Sequence, residues 1–140
     1  MVFIGEKDYE RLVKYCLLCL PKEACGLLGG IQDRQGKWVK RVYFLTNMDN
    51  SAEHFSMDPK EQFAAIKDMR ANGWKLLGNF HSHPASPPVL SEEDIRLAYD
   101  VSISYLVLSL ADPGNPVLNA FQVDRERNVL EEAWKKYVLY

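Results

Sequence analysis

Residues 78–100 read GNFHSHPASPPVLSEEDIRLAYD. Two imidazoles, His81 and His83, stand two residues apart. A hydroxyl, Ser91, and a carboxylate, Asp94, follow after one short loop. The run before them, Trp74 to Phe80, reads as a strand. Along a strand, side chains at i and i+2 leave the same face, so the two rings lie side by side and Ser82 points away. Pro84 lacks a backbone donor and ends regular pairing. Pro84, Pro87 and Pro88 stiffen the connection by fixing φ. Ser91 then opens a helix, with Asp94 in its first turn. A strand end, a stiff loop and a helix start thus bring three ligand side chains to one point. A zinc ion held by three protein ligands keeps one position for water, whose pKa it lowers to about 7.

Each half alone carries less. Ser91-x-x-Asp94 by itself is a routine helix-capping signature, and His-x-His by itself is weak. Their weight comes from convergence, with an apolar strand leading into the histidines. Capping and metal binding are compatible, and Ser91 can serve in both.

On these residues the chain resembles the JAMM (MPN-plus) zinc metalloproteases. His81-Ser82-His83, seven residues, Ser91, two residues and Asp94 is similar to that family's zinc signature. The signature also needs a glutamate near the start of the domain. PKEACGLLGG, residues 21–30, is similar to the segment that carries it. The resemblance covers nearly the whole chain. It implies that His81, His83 and Asp94 bind zinc and that Ser91 steadies the oxyanion. It implies that Glu23 takes a proton from the zinc water and delivers it to the leaving amine. From its position alone Glu23 reads as an exposed loop carboxylate; only the resemblance gives it a role. Hydrolysis of an amide does require a base and a donor for the developing oxyanion. The implied fold is α/β: a curved mixed β-sheet flanked by helices, JAMM/MPN-like and loosely similar in architecture to cytidine deaminases.

Length and composition fit one domain over 1–140 with a core of its own. With 47% hydrophobic and 26% charged residues the chain reads as soluble and globular. A net charge of −2 gives no nucleic-acid footprint, and no apolar run reaches membrane-span length. Charges at Glu6, Lys7 and Asp8 leave no room for a secretory signal. Three cysteines make no even disulfide framework, so a reducing cytoplasm is expected. Cys16-x-x-Cys19 lies in an apolar helix with no second pair to complete a zinc ribbon, and reads as core packing. Cys25 is assigned no chemistry. Lys37, Lys40 and Arg41 read as a solvated strand face.

Apolar spacing predicts a first helix over Lys7–Leu20, stopped by Pro21. Strands are expected at Cys25–Ile31 and Lys37–Leu45 around the turn at 33–36. A polar connection spans Thr46–Met57. A second helix runs from Pro59 to about Ala71, closed by Asn72-Gly73. After the histidine strand come a third helix over Ser91–Tyr99, a central strand at Ser104–Leu110, and a terminal hairpin of Val117–Val123 with Asn128–Lys136.

Members that disassemble ubiquitin chains carry longer insertions around the active site. The compact form here is similar to bacterial and archaeal members, several of which process ubiquitin-like sulfur carriers after a C-terminal Gly-Gly. The implied partner is then a ubiquitin-like or sulfur-carrier protein with such a tail. An extended tail can add as a strand to a sheet edge. Glu53–Asp58 is the candidate edge, with an ordinary loop as the equal alternative. Only glycine, lacking Cβ, passes a narrow channel at the scissile position. His54 matches no metal spacing and reads as a surface or tail-contacting residue. A second function class is a non-catalytic MPN-type scaffold. Such relatives usually lack motif residues, and Glu23, His81, His83, Ser91 and Asp94 are all present. A zinc deaminase needs His-x-Glu with Pro-Cys-x-x-Cys, and the chain has neither.

Overall fold

The structure is a computed structural model that describes residues 1–138. Its elements are β1 Val2–Gly5, α1 Glu6–Cys19, β2 Cys25–Gln32, β3 Lys37–Leu45, α2 Pro59–Ala71 and β4 Lys75–His83, then α3 Glu92–Arg96, β5 Ser104–Ser109, β6 Val117–Val123, β7 Val129–Glu132 and β8 Trp134–Tyr137. The strands form one mixed sheet in the order β7-β6-β5-β4-β2-β3-β1-β8. β4 runs parallel to β5, and β1 runs parallel to both β3 and β8.

The curved mixed sheet expected from the sequence is present. Its two edge strands, β7 and β8, are consecutive in the chain, with Ala133 between them. The Val2 N–H donates to the Ala133 carbonyl at 2.9 Å, so the curved sheet is nearly a barrel. Leu12 and Cys16, one helical turn apart, turn the buried stripe of α1 into a cluster with Val39, Val42, Phe80 and Leu106. α2 lays Ala65 and Met69 against Leu27 and Leu45 on the other face. Asp58 caps α2 by accepting the Lys60 N–H, Pro59 occupies the first turn, and Gly73 leaves the helix at φ +71°. Gly26 is required by close approach: a Cβ there would stand 2.2 Å from the Phe80 ring, one residue before His81.

Four expectations are corrected. The first strand is β1, too short and too near the start to show a period. The Asn128–Lys136 strand is two strands that part at Ala133, one at each edge of the sheet. The third helix ends at Arg96, not Tyr99. Ala98 turns into the core beside Ile103 and Val123, and Arg127 donates to the Ala98 carbonyl at 2.5 Å in place of a further helical turn. Lys37 is not on a solvated face. It is buried, and its Nζ donates to Ser104 Oγ at 2.6 Å, which donates to Glu132 Oε1 at 2.5 Å. That chain joins β3, β5 and β7. Lys40 and Arg41 are exposed as expected. Cys16 is buried in the core and Cys19 half-buried, with no disulfide among the described residues. Burial pushes the Cys16 and Cys25 thiols up to about 12, which makes them poor nucleophiles. No described helix is long and apolar enough to cross a membrane.

Candidate metal centre

The end of β4 carries the histidines. It is clamped on both sides, with His81 opposite Cys25 of β2 and His81 and His83 opposite Val107 and Ser109 of β5. The pleat puts both rings on one face: their Nε2 atoms lie 3.1 Å apart. Asp94 Oδ2 meets His81 Nε2 at 3.0 Å and His83 Nε2 at 3.2 Å. A capping box aims that carboxylate. Asp94 Oδ2 accepts the Ser91 N–H at 2.9 Å, and Ser91 Oγ accepts the Asp94 N–H at 3.0 Å. The stiff loop orients the second ring. His83 Nδ1–H donates to the Pro87 carbonyl at 2.9 Å, which fixes the tautomer and turns Nε2 toward the cluster. The Phe55 ring stacks on His81, with centroids 4.7 Å apart and planes 22° apart.

Glu23 is no exposed loop carboxylate. It is 4% exposed, and its buried Oε1 has no hydrogen-bond partner. One of its oxygens and a ring nitrogen of each histidine all lie within 4.8 Å of one another. Asp94 is in hydrogen-bonding distance of both rings, while Glu23 stands farther back. Its backbone is held at every point. The Glu23 N–H donates to the Ser51 carbonyl at 2.8 Å, and its carbonyl accepts Asn47 Nδ2 at 3.0 Å. At the next residue the Ala24 N–H donates to Ser82 Oγ at 2.8 Å, and the Ser82 N–H returns a bond to the Ala24 carbonyl at 3.0 Å.

The cluster thus unites all five expected residues, Glu23, His81, His83, Ser91 and Asp94. Sequence reasoning missed Asn47, and read Phe55 only as part of the candidate edge and Pro87 only as stiffening the loop, without their contacts to His81 and His83. It read Ser82 as facing away, which is correct, without seeing that it anchors the segment of Glu23. None of these roles has a local signal, because each bond spans the fold or depends on how a loop closes. His54 is exposed and bonds through Nδ1 to Glu93 Oε2 at 2.5 Å, tying the 46–58 connection to α3. Glu53–Asp58 is a loop with one bridge, Asn47 to Met57, and not a strand.

The electrostatics follow from burial and pairing. Burial pushes the Glu23 carboxyl up to about 7, and His83 opposes that shift. Burial also holds His81 below the ordinary imidazole value, against its bond to Asp94. Burial acts on His83 in the same sense, but its bonds to Asp94 and Pro87 outweigh it and hold this imidazole above the ordinary value. Asp94 is itself desolvated, yet the two imidazoles hold it far below the usual carboxylate range. Without an ion, His83 therefore holds its proton more tightly than an ordinary imidazole and His81 less tightly, beside a Glu23 that exchanges its proton near neutrality.

Two hollows meet at the cluster. Glu23, His83 and Ser91 line one of about 670 Å³, with Glu53, Glu92 and Glu93 around it. His81 and Asp94 line the other, of about 390 Å³, with Phe55, Met57, Leu97 and Tyr99.

A family model described as prokaryotic homologs of the JAB domain matches residues 5–124. The chain belongs to that family. A desampylase of Pyrococcus furiosus is 38% identical over 90 residues, which are 64% of this chain and 61% of that protein. The match thus spans about three-fifths of that relative. A CysO-cysteine peptidase of Mycobacterium tuberculosis is 28% identical over 105 residues, 74% of this chain and 69% of the relative. The solution structure of a Desulfitobacterium hafniense protein superposes with a TM-score of 0.91 at 51% identity, over 99% of this chain and 94% of that one. The family expected from the motif is therefore borne out, and the named relatives are hydrolases.

Proposed function

We propose that this prokaryotic JAB-domain chain is a zinc-dependent peptidase or isopeptidase that cleaves after the C-terminal Gly-Gly of a ubiquitin-like or sulfur-carrier protein. One observation carries the reading: His81 Nε2, His83 Nε2 and Asp94 Oδ2 converge to within 3.0–3.2 Å while Glu23 stands within 4.8 Å of both rings, its Oε1 buried and unpartnered. Two imidazoles and a carboxylate make a donor set suited to zinc, and the orphaned Oε1 is a polar atom that such a centre would satisfy. His81, His83 and Asp94 would hold the ion. Once bound, zinc supplies Lewis acidity that polarises the scissile carbonyl and acidifies water.

The chain's own groups do the rest. Glu23, whose carboxyl burial raises to about 7 in the metal-free fold, is the buried base beside the cluster that would take a proton from water and pass it to the amine. Ser91 Oγ uses a lone pair to cap α3, so its hydroxyl proton stays available to the developing oxyanion. The names of the Pyrococcus and Mycobacterium relatives support a conjugate of a small carrier protein as substrate. The hollow between Phe55–Met57 and Leu97–Tyr99, uncharged apart from His81 and Asp94, suits an extended tail whose final glycines lie against the His81 side.

The test is to load the protein with zinc, incubate it with Gly-Gly-extended carrier conjugates and read the product masses. Release of the carrier with an intact Gly-Gly end supports the reading. Intact conjugates at full metal occupancy would contradict it.

A further inference from the structure

Two buried polar atoms on β4 lack a partner, and they are complementary. Neither His81 Nδ1 nor Asn79 Oδ1 meets a hydrogen-bonding group among the described residues. The first belongs to a ring whose other nitrogen, Nε2, faces the metal centre. The second is an acceptor only. We propose that Asn79 is the positioning residue of His81: its carboxamide oxygen takes the Nδ1–H through one bridging water and holds the ring with Nε2 toward the ion. The inference rests on the metal centre of the reading above and concerns how that centre is held.

The need comes from the chemistry of an imidazole ligand. When Nε2 gives its lone pair to a metal, the proton of the neutral ring sits on Nδ1, which becomes a donor. A ligating histidine almost always gives that proton to a carboxylate, a carbonyl or a water, which fixes both tautomer and ring plane. His83 does so inside the protein, through the Pro87 carbonyl at 2.9 Å. His81 has no such carbonyl, and a buried donor left unpaired is costly.

Asn79 stands where the missing acceptor is needed. It precedes His81 by two residues on β4, so both side chains leave the same face. Both line the hollow of about 390 Å³. Tyr105 lies opposite Asn79 on β5, but its hydroxyl donates to the Asp100 carbonyl at 2.7 Å and is not free for the amide. Strand positions i and i+2 are about 6.6 Å apart, and two hydrogen bonds through one water reach about 5.5 Å. The span therefore suits a single water better than a direct bond. The Phe55 ring, stacked on His81 with centroids 4.7 Å apart, covers the imidazole and shields the link from bulk solvent.

The experiment reads zinc affinity by competition with a chelating indicator, and the ring protons by ¹⁵N NMR of zinc-loaded, histidine-labelled protein. In the unmodified protein the His81 Nδ1–H should exchange slowly with solvent. Asn79→Leu, close in size but without an acceptor, is expected to weaken zinc binding by roughly 10–100-fold. It should also speed exchange of the His81 Nδ1–H while leaving the His83 Nδ1–H on Pro87 undisturbed. Asn79→Asp restores an acceptor at the same reach and should recover both readouts, which a merely structural role would not allow. Unchanged zinc affinity in Asn79→Leu, equal disturbance of both ring protons, or a freely exchanging His81 Nδ1–H in the unmodified protein would overturn the inference and leave the hydrolase reading standing. The expected pattern in a zinc-loaded chain that leaves carrier conjugates intact would keep the inference and refute the hydrolase reading.

Discussion

Glu23 is the base of the proposed chemistry, and its burial gives it a thermodynamic signature. Its carboxyl titrates near 7 in the fold against an ordinary 4.5. Between those values the metal-free folded chain binds a proton that the unfolded chain has lost. Stability from this group is therefore full below about 4.5 and falls as pH rises to about 7, by roughly 3 kcal/mol at most. Glu23→Gln should raise the melting temperature of the chelated protein at pH 8 and leave it nearly unchanged at pH 4.5; no gain at pH 8 would mean that the carboxylate is solvated. In the metal-loaded protein the same substitution should lower kcat by about 10²–10⁴ while zinc content stays. His83 shows the opposite relation to the ion. Its bonds to Asp94 and Pro87 raise its affinity for a proton, which competes with a metal for the ring, so zinc affinity should weaken as pH falls through the range where His83 takes up a proton, with proton release on binding there. Calorimetry in buffers of different ionisation enthalpy reads that release directly. At this scale the clustering of the two histidines was legible because a two-residue spacing on a strand fixes the side-chain face. Glu23 was legible only by resemblance, since its burial depends on segments far away in sequence.

The element that matters most is the 46–58 connection. Asn47 ties it together: Nδ2 donates to the Glu23 and His54 carbonyls at 3.0 Å each, and Oδ1 accepts the Asp49 and Ser56 N–H groups at 3.0 and 3.1 Å. Between His54 and Ser56 lies Phe55, stacked on His81. Asn47→Ala should loosen both the aim of Glu23 and the cover over His81. We expect turnover to fall at least tenfold with metal content retained, and faster amide exchange at Asp49 and Ser56. Unchanged exchange there would remove Asn47 from this role. Most elements could be read from the chain, because α1, α2 and β2 to β6 have clear periods and clear stops. α3 was overestimated because its apolar pattern continues through Leu97 and Ala98, while the Arg127 bond and the burial of Ala98 end the helix.

At the scale of the molecule, closure of the sheet sets the frame on which β4 is held. Lys37, Ser104 and Glu132 form a buried polar chain that joins β3, β5 and β7. Removing one member leaves the others desolvated. Lys37→Ala should cost about 3 kcal/mol, read as a drop in denaturant midpoint, and Lys37→Met less, since the aliphatic stem remains. Equal losses in the two variants would assign the effect to the lost ammonium alone and none of it to packing of the stem. This closure was invisible in the sequence, because the charge pattern of β3 reads as solvated until the curvature of the sheet turns Lys37 inward. The overall α/β order and the end of the sheet that bears the site were legible, because one strand leads into the histidines.

The central claim is that His81, His83 and Asp94 hold one zinc ion while Glu23 stands apart from it as a base. Zinc K-edge absorption on stoichiometrically loaded protein, compared with its Glu23→Gln and Asp94→Ala variants, tests it most directly. We predict one zinc per chain with two imidazole nitrogens at about 2.0 Å, an edge unchanged in Glu23→Gln, and loss of bound zinc in Asp94→Ala. Zinc lost from Glu23→Gln, or fully retained by Asp94→Ala, would contradict the account.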